Sequence, residues 1–398
     1  MAALADARLI LASLRRRPGS GPWSSPTTEP DWDSAVITAI VLGLAPQMFW
    51  ALRDLASGVP PGALARLAAS HDAHAARSSE LFAQFGEIVE ALDRVGIRPI
   101  ALKGLHVAGA LHPQPGLRPM NDLDLLVDAG EMPRVRAVLE RLGYRERHTS
   151  PDFGPGITKH TSTFRRPSDG PARPNPFLFT DHDRTVEPHT SLEESWFGLR
   201  VDVSDGVARR AVPCELGGHR CRVLVTEDLV LHLCVHLCFH LIMGRPSLLQ
   251  LTDLLAVVRA ASPDWDRVLD RATEVRAAPY ALAGLGLAAD LLGAAVPAET
   301  LDRLAAGTPR RLRDRVRRLD LEYVLDRMRQ RPLRGLVDRV IRGIADRAET
   351  ARWTRSAGER WQVWRSALRI GKTDTMRLWL GHGSGHAHGT GSRGGAFR

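Results

Sequence analysis

Two aspartates, Asp122 and Asp124, sit one residue apart inside an apolar run, Asp122-Leu123-Asp124-Leu125-Leu126-Val127. Read as a strand, the run points both carboxylates to one face and Leu123 and Leu125 to the other. Like charges held side by side on a buried strand repel, and a divalent cation is the usual remedy. Hard carboxylate oxygens suit Mg²⁺. Upstream, Ile100-Ala101-Leu102 is a second apolar run that breaks at Lys103-Gly104. A glycine at a helix start lets the backbone approach a phosphate, and the helix N-terminus offers N–H donors and partial positive charge. Lys103 would add a point charge and Arg118 a fork-shaped grip. The D-x-D pair alone also fits a solvated turn at a strand end; the order strand, Lys-Gly, helix, turn, Arg, D-x-D strand is more demanding.

The elements that would position these residues follow from periodicity and punctuation. Residues 18–34 form a Pro/Ser/Gly linker after a short leading helix, and apolar residues recur at helical spacing from 35 to 55 and from 61 to 95. Leu81, Phe82, Phe85, Ile88, Val89 and Leu92 make one such stripe, which Gly96 ends. Leu105 to Leu111 is a short amphipathic segment closed by a Pro/Gly-rich turn, and 131–142 reads as a helix stopped by Gly143. Residues 145–176 are rich in Pro, Gly, Ser, Thr and Arg, the composition of a lid, an insertion or disorder, with a short hairpin around 161–164 as the alternative. The next strand, 183–189, carries Glu187 and His189 two apart and hence on one face. Residues 209–225 read as a short β element, Thr226 as the cap of a helix through Met243, and the chain then stays helical and arginine-rich to about 380. The Gly/Ser/His-rich tail, 381–398, cannot bury a core and is expected to be disordered.

The stretch from 102 to 127 resembles the nucleotidyltransferases with a polymerase-beta-like fold, in the variant where Lys-Gly replaces Gly-Ser. It is most similar to a poorly characterised family with the pattern L-K-G, Y-P-x-x-G-x-R, D-I-D-L-L-V; His112 stands where that pattern has Tyr. The resemblance covers most of residues 35–255. It implies an α/β (α+β) fold, a small mixed sheet flanked by helical regions, with a core over 97–205, a helical region 35–96 before it and a mainly helical domain 206–380 after it. It implies transfer of a nucleoside monophosphate from an NTP to an acceptor hydroxyl, assisted by two Mg²⁺ ions or Mn²⁺. Asp122, Asp124 and Glu187 would be the catalytic metal ligands, with Glu187 matching the third carboxylate of a V-D-L-H strand despite Glu for Asp and Pro188 for an apolar residue. Lys103, Gly104 and Arg118 would bind the nucleotide. The acceptor, whether small molecule, peptide or protein side chain, or RNA end, is left open. His236, His240 and Asp253 match histidines and an aspartate that the family carries after the core.

Rival readings rest on other residues. His232, His236 and His240 recur every fourth residue on one helix, a spacing that can bind zinc in a hydrolase. No H-E-x-x-H glutamate accompanies them, and Cys234 and Cys238 lie on the far side by the ~100° helical step. Packing, or facing the active cleft, is the ordinary account. A non-catalytic accessory or toxin–antitoxin-like protein on the same fold is the other rival. The formal charge of +9 and pI near 10.2 come from arginine and suit a polyanionic partner or simply solvated helix faces. The arginines from Arg310 to Arg318 lack the aromatic interleaving of single-strand binders. Only Lys103, Lys159 and Lys372 are lysines, which singles out Lys159, with His189 and His236, as possible substrate contacts. Four cysteines without a C-x-x-C pair fit a reduced cytoplasmic setting. The longest apolar stretch, 229–243, is broken by histidines and short for a bilayer, so a soluble protein with no membrane partner is expected.

Overall fold

The computed structural model describes residues 2–147, 163–167, 183–329 and 336–368, apart from 20, 22, 27, 28 and 56. The expected substrate contact Lys159 and the tail 381–398 lie outside the described residues. Nine strands are described: β1 Ile100–Ala101, β2 Asp122–Leu126, β3 Arg145–Arg147, β4 Thr163–Arg166, β5 Arg184–His189, β6 Glu193–Trp196, β7 Leu199–Asp202, β8 Val212–Leu216 and β9 His219–Val223. Seven form one mixed sheet in the order β3-β4-β5-β2-β1-β9-β8, while β6 and β7 pair as a separate hairpin. The expected mixed sheet flanked by helices is what the chain builds.

Helices precede the sheet because the N-terminal apolar stripes need a partner. They are α1 Ala2–Arg15, α2 Trp32–Val41, α3 Ala45–Leu52 and α4 Pro61–Asp93. Asp31 caps α2 by accepting from the Ser34 N–H at 3.0 Å. The expected single stretch over 35–55 is two helices because Gly43 turns the chain between them at φ +72°. Next come α5 Lys103–His106, which runs on as a π-helical turn over Val107–Leu111, then α6 Met132–Arg141 and α7 Val207–Arg210. The apolar remainder forms α8 Thr226–Met243, α9 Leu248–Ala260, α10 Trp265–Glu274, α11 Ala278–Leu292 and five further described helices up to Leu368.

Two apolar clusters lie on opposite faces of the sheet. Leu81, Phe82, Phe85, Ile88 and Leu92 of α4, with Val135, Val138 and Leu139 of α6, pack on Leu123, Leu125, Phe164 and Val186. Ile100, Leu102 and Leu126 point the other way, into the larger cluster of α1–α3, α8, α9 and α11. Leu123 and Leu125 are fully buried, worth roughly 1.5–3 kcal/mol each. A one-residue slip of β2 would exchange them for Asp122 and Asp124, so the same burial fixes which face the carboxylates take.

Two expectations are corrected in detail. The sheet continues past residue 205, because β9 pairs parallel with β1, Ala101 opposite Val223, and carries β8 with it. Thr226 is not the cap of α8: Val225 holds that position without a side-chain bond, and Asp228 in the first turn is gripped by Arg210 through two 2.8 Å bonds. By length and composition α8 could cross a membrane, but 72% of its apolar window is buried, and it packs among α9, α10 and α11 as a core helix. All four cysteines are free thiols.

Candidate active site

Parallel pairing of β2 with β5 places Asp124 opposite Glu187, Asp122 opposite Thr185 and Leu126 opposite His189. Alternation then puts Asp122, Asp124, Glu187 and His189 on the face turned toward the large helical cluster. Pro188 sits opposite Leu125 inside the ladder, and pairing persists around it over five residue pairs. The proline lacks an N–H but does not remove Glu187 from the strand.

The chain reaches this face a second time where β1 gives way to α5. Lys103 adopts φ +39°, a left-handed conformation that costs a non-glycine residue about 1 kcal/mol or more. There its buried Nζ donates to Asp124 Oδ1 at 2.7 Å. His189 Nε2 lies 2.6 Å from the same oxygen. Glu187 Oε1 accepts from Thr163 of β4 at 3.2 Å. Burial would push the Asp124 carboxyl up, but Lys103 and the His189 bond outweigh it and hold the group well below the usual range. Burial works against the Lys103 ammonium too, and Asp124, Glu187 and Glu194 together keep its pKa raised.

Asp124, Glu187 and His189 each present a ligand atom within 4.8 Å of the others, a group compact enough to hold a metal ion. Two carboxylates and an imidazole around a common point are ligands a divalent cation can take, and the donor set does not by itself choose the ion. The compact trio differs from the expected one by taking His189 where Asp122 was named. Asp122 lies one step along β2, opposite Thr185, and feels the others through its charge. Burial first, then Asp124 and Glu187, push its carboxyl up to about 7.

That shift has a testable sign. The ordinary Asp value is 3.8, so between there and about 7 the folded protein holds a proton the unfolded chain releases. The stabilisation from this group is full below the lower value and is lost as pH rises through the upper one. Asp122→Asn is therefore expected to stabilise the metal-free protein above pH 7 by roughly 1–3 kcal/mol. It should also flatten the fall in stability from pH 5 to 8. Urea denaturation at both pH values measures this, and a variant no more stable than wild type at pH 8 would contradict the account.

Arg118 and Gly104 form one unit. The Arg118 guanidinium grips the deeply buried Asp253 of α9 through Nε at 3.0 Å and Nη2 at 2.8 Å, while Nη1 donates to the Pro119 carbonyl at 3.1 Å. A Cβ on Gly104 would fall 2.3 Å from Arg118 Nη1. The space left by the missing side chain at Gly104 is therefore filled by the arginine. Asp253 first, then Asp122 and Asp124, raise the Arg118 pKa against the penalty of burial, so its charge faces both the helix and the carboxylates.

His236 is bound at Nδ1 to Glu194 of β6 at 2.8 Å, and His240 Nδ1 meets the Arg245 carbonyl at 3.0 Å. Among the described residues the histidine stripe of α8 forms no compact metal-ligating group. Glu194, 2% exposed, is the site residue that sequence reasoning missed. It lies in a four-residue strand with no apolar pattern, and nothing local marks it. Only its burial, and so its need for a positive or donor partner, sets it apart.

A family model described as an uncharacterised nucleotidyltransferase matches residues 28–293. No curated protein matches the chain. Among solved structures, the solution structure of the antibiotic-resistance factor ANT(2'')-Ia is similar at 13% identity and a TM-score of 0.34, over 50% of this chain and 91% of that one. The family match spans most of the chain and takes in the elements that carry Lys103, Asp122, Asp124, Glu187 and Asp253, and the chain belongs to this family of uncharacterised nucleotidyltransferases.

Proposed function

We propose that the protein transfers a nucleoside monophosphate from an NTP to an acceptor hydroxyl, with Asp122, Asp124 and Glu187 as metal ligands and His189 beside them. The observation that carries this reading is the convergence on one sheet face of three carboxylates, with Lys103 and His189 on a single oxygen of Asp124. Bound there, Mg²⁺ or Mn²⁺ would supply charge neutralisation for the triphosphate and acidify the acceptor hydroxyl.

The chain's own residues have separate tasks. Lys103 is held on Asp124 until a phosphate offers its ammonium a second anion. Asp253 fixes the plane of the Arg118 guanidinium, so its N–H groups not turned to Asp253 or Pro119 can meet phosphate oxygens without further ordering. One of the carboxylates takes the proton of the attacking hydroxyl. Thr163 orients Glu187, and Glu194 adds negative charge that keeps Lys103 protonated.

Phosphate labels distinguish this reaction from phosphoryl transfer. With an α-labelled NTP, a divalent metal and a cell extract, label is expected in an acceptor; with γ-labelled NTP, label is expected in pyrophosphate. Label reaching the acceptor from the γ position instead would overturn the proposal. Nucleotide binding with no transfer from any of the four NTPs would favour the accessory-protein reading.

A further inference from the structure

A cavity of about 350 Å³ lies beside the Arg118–Asp253 pair, between the N-terminal helices and α9. Its volume falls at the lower end of the ~300–1,000 Å³ usual for small-molecule sites. Leu14, Trp50, Leu111, Leu117, Leu255 and Ala256 give it apolar walls. Leu117 and Thr252 line it while the next residues in the chain, Arg118 and Asp253, make the ion pair. Among the described residues that line it none is acidic, yet three are arginines.

Those arginines are not equivalent. Arg16 is committed to Asp54 at 2.7 Å and to the Ala51 carbonyl. Among the described residues Arg259 donates only to the carbonyls of Leu14 at 3.2 Å and Arg15 at 2.9 Å, which orient it without neutralising it. Arg17 is exposed and bears no ion pair among the described residues. Burial first, and then the Arg17 charge, lower the Arg259 pKa, so two cations crowd one another at this cavity. His112, also in the lining, presents a buried Nε2 that has no hydrogen-bond partner among the described residues. Burial pushes that imidazole down to about 4, so it is neutral and can donate or accept. A buried polar atom without a partner keeps its desolvation penalty until a polar group enters the cavity to meet it.

We propose that this cavity is a binding site for a small molecule with an apolar body and one anionic head group, carboxylate or phosphate. The head group meets Arg17 and Arg259, the body lies along Trp50 and Leu255, and a polar atom of the body pairs with His112. None of Asp122, Asp124, Glu187 and His189 lines the cavity, so the proposal stands apart from the transfer chemistry.

Isothermal titration of the full chain with octanoate, octyl phosphate and 1-octanol tests it. One anion per chain is expected to bind, at least tenfold more tightly than octanol; the tighter of the two anions identifies the head group. Arg17→Gln, which breaks no hydrogen bond or ion pair among the described residues, should weaken the anion about tenfold, the loss of one charge-assisted hydrogen bond. Ala256→Trp should abolish binding by filling the cavity, with the thermal midpoint showing that the variant is folded. The proposal is overturned if neither anion binds wild type, if octanol binds as well as the anions, or if Arg17→Gln binds unchanged.

Discussion

Asp124→Asn is expected to reduce nucleotidyl transfer by roughly 10³-fold, the scale on which removing one preorganised electrostatic group from a transfer site acts. The substitution preserves shape and deletes the charge on which the site converges. Lys103 Nζ and His189 Nε2 both sit on Asp124 Oδ1, at 2.7 and 2.6 Å. Breaking a buried pair by neutralising one partner usually costs about 3–5 kcal/mol. Here Glu187 and Glu194 still face Lys103, and Asp122 loses its nearest repulsion. The stability cost is therefore smaller than the usual figure while the chemical cost is not. Transfer rates with α-labelled NTP, beside urea denaturation of the same preparation, separate the two. Activity within tenfold of wild type would remove Asp124 from the chemistry.

Asp253→Ala is expected to destabilise the protein by about 3–5 kcal/mol, the largest stability effect foreseen for a single residue here. Asp253 is 1% exposed and is the only carboxylate hydrogen-bonded to Arg118 among the described residues. Alanine leaves a buried guanidinium with one backbone carbonyl and a missing bidentate partner. The pair also joins two parts of the fold, since Arg118 precedes β2 and Asp253 belongs to α9. Urea denaturation should show the loss, and Asp253→Asn should recover part of it by keeping hydrogen bonds without charge. A loss below 1 kcal/mol would mean that the pair contributes geometry and little else.

The features legible in the sequence were those written in local pattern. The D-x-D run declared both its strand and its faces, because Leu123 and Leu125 must be buried wherever the carboxylates go. The strand–Lys-Gly–helix order located the second approach to the same face. Long-range pairing was not legible: two residues of β1 are too few to announce that β9 will dock beside them. Glu194 was invisible for the same reason, since its partners His236 and Lys103 are distant in the chain. Gly104 was expected to make room for a phosphate, and its space turns out to be occupied by Arg118. Spacing shows that a side chain is absent but not which neighbour fills the gap.

The most direct measurement is Mn²⁺ titration followed by electron paramagnetic resonance on wild type, Asp124→Asn, Glu187→Gln and His236→Gln. Saturable loss of the free-ion signal is predicted for wild type and for His236→Gln, and its disappearance for the two carboxylate variants. Equal Mn²⁺ uptake by all four proteins, or loss of uptake only in His236→Gln, would contradict a metal site built on β2 and β5.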